Sequence, residues 1–168
     1  MKRILTALLF IMPLILFLGF YFLDRHTFLC PIDYAHEIII RYDSRGDGEF
    51  GAKRSGNRTH EGIDLLADIG APVKAARSGI VVLSRVIENK DRKTGSGNYI
   101  IIAHPGGTRT TYAHLTEVYA GKNQLIRQGQ VIGTVGKTGN ANYPDILPHL
   151  HFEVREGAVP RDPQGYFK

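Results

Sequence analysis

The chain has 168 residues, with 21 lysines and arginines against 16 aspartates and glutamates, a net charge of +5 and 43% hydrophobic residues. That is one domain's worth of sequence, and its 22% charged fraction excludes a disordered, collagen-like or coiled-coil chain. A single cysteine excludes an internal disulfide framework and any multi-cysteine metal centre, and without a run of five basic residues the mild positive charge carries no nucleic-acid signal.

In chain order, the first element is residues 4–23 (ILTALLFIMPLILFLGFYFL), which carry no charge and follow Lys2 and Arg3. Twenty helical residues span about 30 Å, the thickness of a bilayer core, and Pro13 and Gly19 are tolerated in such a helix. The basic end predicts a cytoplasmic tip, with the rest of the chain exported. A cleaved signal would need a shorter apolar run and small residues at a cleavage site, and residues 24–30 (DRHTFLC) offer none. Phe28 and Leu29 are likewise too bulky for a lipoprotein signal ending at Cys30. Residues 1–30 are therefore expected to form a cytoplasmic tip and an uncleaved signal-anchor transmembrane helix, with Cys30 a free thiol near the membrane. This predicts a single-pass protein of the cell membrane whose main domain is extracytoplasmic.

Residues 31–56 read as a lead-in, with an apolar run at 36–41 (HEIIIR) and a turn-rich stretch at 43–48 (DSRGDG). Residues 57–168 read as one β-rich domain. Short β-favouring runs at 71–76, 79–83, 98–103, 108–113, 130–135 and 149–154 are bounded by Gly, Pro or Asn, and no amphipathic helix interrupts them. The spacing predicts an all-β fold of antiparallel sheets, a sandwich or an open barrel.

The chemistry falls to histidines. Seven occur, and His60, His104, His114, His149 and His151 lie in the β region. In the run PHLHFEV (148–154), residues two apart share a strand face, so His149 and His151 project together while Leu150, Phe152 and Val154 face the core. His60-Glu-Gly-Ile-Asp64 begins like a helical zinc-protease motif, but Asp64 stands where a second histidine should be, and the nearby Gly56 and Pro72 argue for extended chain. Fully extended, the Cα atoms of His60 and Asp64 would lie about 13 Å apart, so sharing an ion requires a bend, which Gly62 permits. His60, Asp64 and one histidine of the pair would make a site with two imidazoles, one carboxylate and a fourth position open to water, a catalytic zinc pattern that iron or manganese could also use.

Taken together, His60-x-Gly-x-Asp64, residues 70–75 (GAPVKA) with Gly79-Ile-Val, residues 112–115 (YAHL), 129–136 (GQVIGTVG) and 148–154 resemble the lysostaphin/LytM-type zinc endopeptidases. The resemblance runs from about residue 50 to 155. It implies antiparallel sheets forming an open groove, a duplicated hybrid motif, one zinc ion, and a substrate among the peptide bonds of cell-wall peptidoglycan. It also implies that His60, Asp64 and His151 are the zinc ligands and that His114 and His149 are the catalytic histidines beside the water. The expected protein is thus a membrane-anchored zinc metalloendopeptidase, the alternative being a non-catalytic wall-binding protein or activator of a partner hydrolase. A biotinyl or lipoyl carrier, which residues 129–136 also suggest, fails for want of a lysine in a carrier hairpin. His26 and His36 read as bystanders, His104 as a structural strand-end residue, Glu153 as a solvated or salt-bridged carboxylate. Tyr112 and the loop 94–99 are candidates to line the groove, and Ile146 and Leu147 lie in a long segment (138–148) beside the site.

Overall fold

The computed structural model describes Met12, residues 27–88 and residues 93–167; apart from Met12, the expected membrane helix lies outside the described residues, as does His26. Among the described residues no helix is long and apolar enough to cross a membrane.

Two short hairpins come first, β1 (Tyr42–Asp43) with β2 (Gly46–Asp47) and β3 (Lys53–Arg54) with β4 (Arg58–Thr59). Then follow β5 (Ile63–Leu66), β6 (Pro72–Lys74), β7 (Gly79–Arg85), β8 (Asn98–Ala103), β9 (Thr108–Leu115), β10 (Leu125–Ile126), β11 (Val131–Thr134), β12 (His149–Glu156) and β13 (Val159–Arg161). The expected all-β fold of antiparallel strands is what the chain forms, with two single-turn 3-10 helices at Gly139–Ala141 and Pro163–Tyr166. The main sheet runs β10-β7-β8-β9-β12-β13, and β5 pairs with β12 as well. β5 takes residues 149–152 of β12 and β13 takes 154–156, so the two lie end to end along one edge while β9 covers the other. β6 and β11 form a separate ribbon.

Strand alternation builds the core. Ile100 and Ile102 of β8, Tyr112 of β9, Leu150, Phe152 and Val154 of β12, and Ile63 and Leu65 of β5 are all fully buried. Each such aliphatic or aromatic side chain contributes roughly 1.5–3 kcal/mol by leaving water. Tyr112, a candidate for the groove, lies instead inside this core, where its hydroxyl accepts from the Ala76 N–H at 2.8 Å and from Thr110 Oγ1 at 3.0 Å. The start of the described chain packs into the same core. Phe28 and Ile32 are buried, Phe28 bridges Phe167 in parallel, and Leu29 N–H donates to the Ala76 carbonyl at 2.9 Å.

The bend expected between His60 and Asp64 is present, but Gly62 serves it in another way. Its φ is not left-handed. Its Cα instead lies against β12, where a Cβ would stand 2.3 Å from the Phe152 carbonyl oxygen. Any side chain would push β5 off β12, so the glycine sets the distance between the strands that carry Asp64 and His151.

Candidate metal centre

Register brings the first two candidates together. His151 on β12 stands opposite Asp64 on β5 and opposite Ala113 on β9. His60 joins them from the end of β4, where its N–H donates to the Ala52 carbonyl at 2.8 Å and its carbonyl accepts from Gly51 N–H at 2.9 Å. One ligand atom from each of His60, Asp64 and His151 lies within 4.8 Å of the others. Asp64 Oδ1 is 2.9 Å from His151 Nδ1 and 3.1 Å from His60 Nε2, and those two nitrogens are 3.0 Å apart.

His114 reaches the same space by breaking alternation. Following Tyr112, it would face the core on a regular strand, but its φ of 63° is left-handed, an uncommon conformation for a residue with a side chain. Its ring consequently sits 5.1 Å from that of His149 and 5.8 Å from that of His151. His149 Nε2 is 3.8 Å from Asp64 Oδ1.

Backbone carbonyls decide which nitrogen each imidazole offers. The Nδ1 atoms of His60, His114 and His149 meet the carbonyls of Glu49 at 2.9 Å, Thr138 at 2.9 Å and Leu147 at 2.7 Å. A carbonyl only accepts, so these Nδ1 atoms each carry a proton, and it is Nε2, bare whenever the ring is neutral, that faces the groove. His151 is reversed, with Nδ1 in the site and Nε2 against Glu153 Oε1 at 3.0 Å. Glu153, read from sequence as solvated or salt-bridged, is salt-bridged rather than solvated: its side chain is largely buried, and its other oxygen accepts from Arg155 at 3.0 Å.

Asp64 is oriented from behind. Its Oδ2 accepts from Arg41 Nη2 at 3.0 Å and Nε at 3.3 Å, and from Arg54 Nη2 at 3.4 Å, leaving Oδ1 to the histidines. Arg41 is itself buried and pairs with Asp43. Sequence reading did not find Arg41; its only signal was a charged residue ending an apolar run. Burial acts to raise the Asp64 pKa, yet the hydrogen bond from His151 and the charge of that imidazole hold its carboxyl well below the usual carboxylate range. For His151, burial is overcome by hydrogen bonds to Asp64 and Glu153, which push its pKa up to about 9. Burial keeps His114 well below the usual imidazole value and His149 below it.

These residues open on a groove of about 670 Å³, whose lining also includes Arg45, Arg54, Arg58, Gly95, Ser96 and Ile146. The loop 94–99 therefore contributes to it, and Ser96 also anchors the turn at His114 by accepting its N–H at 3.0 Å. His104 lies elsewhere, buried with Nδ1 on the Ser78 carbonyl at 2.9 Å and Nε2 on Thr110 Oγ1 at 2.7 Å. His36 is exposed.

Residues 58–163 match peptidase family M23. The peptidoglycan DD-endopeptidase ShyB of Vibrio cholerae is 38% identical over 95 residues, covering 56% of this chain and 20% of that protein. Among solved structures, a zinc containing peptidase from Vibrio cholerae aligns with a TM-score of 0.62 at 32% identity, covering 80% of this chain and 38% of that one. The antimicrobial peptidase lysostaphin from Staphylococcus simulans aligns with a TM-score of 0.64 at 26% identity, covering 84% and 53%. The chain spans about a fifth of the length of the curated relatives it matches.

Proposed function

The chain belongs to peptidase family M23, and from that premise we propose that it is a zinc metalloendopeptidase hydrolysing peptide bonds of cell-wall peptidoglycan, anchored in the cell membrane by residues 4–23 with the β domain outside the cytoplasm. The observation that carries this reading is the convergence of His60, Asp64 and His151 on one point at the floor of a groove. Their ligand atoms are 2.9–3.1 Å apart. Ligands about 2.0–2.1 Å from one tetrahedral ion are about 3.3 Å apart, so the set fits zinc with little adjustment, and three protein ligands leave the open position of a catalytic site. When bound, zinc supplies Lewis-acid polarisation and lowers the pKa of water.

The remaining steps fall to the chain's own side chains. Asp64 offers one oxygen because Arg41 and Arg54 hold the other, which favours single-atom ligation. His114 and His149 present bare Nε2 atoms to the space beside the three ligands, and burial keeps both neutral, the form that accepts a proton. The pair takes the proton as the water oxygen attacks the scissile carbonyl carbon. In the imidazolium form it donates to the developing oxyanion and then delivers the proton to the amine nitrogen as the C–N bond breaks. A relative named as a peptidoglycan DD-endopeptidase supports the substrate class.

The test is mass spectrometry of muropeptides after purified peptidoglycan is incubated with the full chain in detergent, loaded with zinc, beside its His149→Ala variant. Cross-linked species should fall only with the unaltered protein, and the products identify the bond. Unchanged muropeptides with one zinc bound per chain would favour a wall-binding protein or an activator of a partner hydrolase.

A further inference from the structure

A second cavity, of about 540 Å³, opens at the end of β9 remote from His114. Ile80 of β7, Leu125 and Ile126 of β10, Ala103 and Pro105 line it, with Arg127 also in the wall. Leu125 is 70% exposed and Ile80 39%. Apolar side chains left open around a concavity mark a surface that meets something other than water.

The continuously described chain, from Thr27, begins beside this cavity. The Thr27 carbonyl accepts from Gln128 Nε2 at 2.9 Å, and the same nitrogen donates to the Ala76 carbonyl at 3.0 Å. Gln128 N–H donates to Ser78 Oγ at 2.9 Å, and the Phe28 ring packs edge-on against His104 at 5.8 Å. Ser78 and His104 both line the cavity, so the wall that holds the chain's entry point is also the cavity's wall. Between Thr27 and Leu23, the last residue of the apolar stretch, stand only Asp24, Arg25 and His26. Four extended peptide steps reach at most about 14 Å.

Resting on the reading of residues 4–23 as a membrane anchor, we propose that this end of the domain is seated on the bilayer, with Ile80, Pro105 and Leu125 at the boundary between headgroups and acyl chains. The short tether leaves no room for the domain to hang free. Exposed Arg127, in the wall of the same cavity, stands where it meets anionic headgroups. Six residue steps along β9 separate Thr108, whose carbonyl accepts from His104 N–H, from His114. At about 3.4 Å per step that is roughly 20 Å, so the groove with His114 and His151 is turned away from the membrane, toward the wall.

The test uses the full chain with Cys30→Ser and one new cysteine, either Leu125→Cys at this face or Asn140→Cys at the groove, labelled with an environment-sensitive fluorophore. Unchanged zinc content verifies that each variant is folded. The proteins are reconstituted into phosphatidylethanolamine–phosphatidylglycerol vesicles carrying a headgroup-proximal lipid quencher. Expected is flotation with the vesicles after a high-salt wash and quenching several-fold stronger at position 125 than at 140. Flotation with equal quenching at both positions overturns the seating while leaving the anchor reading intact. A shielded label at 125 that lipid quenchers do not reach means that a second copy or another protein covers the face, which also overturns it. Failure to float removes the anchor and the seating together.

Discussion

The two ends of β9 hold buried histidines in opposite situations. At one end His104 has both ring nitrogens committed, to the Ser78 carbonyl and to Thr110 Oγ1, and its neighbour Tyr112 is buried with its hydroxyl pKa pushed up to about 12. At the other end His60, His114 and His149 each have one nitrogen tied to a carbonyl and the other aimed into a shared space with His151 and Asp64. Burial and hydrogen bonding are common to both ends. The partner of the second nitrogen separates a histidine that holds the fold from one free to bind or move something.

Substitutions at the two ends break this comparison in order of size. His151→Ala removes a proposed ligand and should take zinc from about one per chain to nearly none, measured by metal analysis of the purified protein. His149→Ala should keep the metal and lose turnover by about 10²–10⁴-fold, since proton transfer is the role proposed for it. Loss of metal in that variant too would mean that His149 shares in ligation. His104→Ala should do the reverse, keeping zinc and turnover while costing about 2–3 kcal/mol in chemical denaturation, because it removes the buried bonds to Thr110 Oγ1 and the Ser78 carbonyl and leaves a void. Unchanged stability there would mean that the cluster holds little of the fold.

Smaller effects sharpen it. Glu153→Gln loosens the hydrogen bond that orients His151 and should weaken zinc affinity by about 10–100-fold, with His151 still a ligand. Glu153 acts here as a positioning residue through its carboxylate, so zinc affinity should recover in part in Glu153→Asp. The raised His151 pKa carries a pH consequence for metal-free protein. Its charge stabilises the fold fully below the ordinary imidazole value of about 6.5, and that contribution is lost as pH rises through about 9. Since ligation needs the bare Nδ1, zinc binding near neutral pH should release about one proton, read by calorimetry in buffers of different ionisation enthalpy. No release would mean that His151 is already neutral before the metal arrives.

Much of the fold was legible because period-2 alternation is a local signal. The run at 149–154 announced which side chains of β12 face the core, and the burial of Leu150, Phe152 and Val154 follows it. The spacing of His60 and Asp64 required a bend that the chain makes. Tyr112 deceived, since an aromatic with a hydroxyl reads equally as a groove or a core residue until Ala76 and Thr110 are seen around it. Arg41 stayed hidden because its partner is set by how Gly48 lets the chain approach Asp64, where a Cβ would stand 2.9 Å from the Asp64 Cβ. The burial of Phe28 was equally invisible, as its bridge is to Phe167 near the other end of the chain.

By itself, the sequence determined an antiparallel β architecture and the residue types for a two-imidazole, one-carboxylate site, because alternation and short-range spacing are written into neighbouring positions. Tertiary structure alone decided which nitrogen each histidine offers, that Asp64 keeps one oxygen free, and that His114 turns out of the core. Those outcomes rest on the carbonyls of Glu49, Thr138 and Leu147, on two guanidinium groups and on one left-handed φ. Backbone acceptors carry no side-chain identity, so their placement follows only from where folding puts each strand and loop.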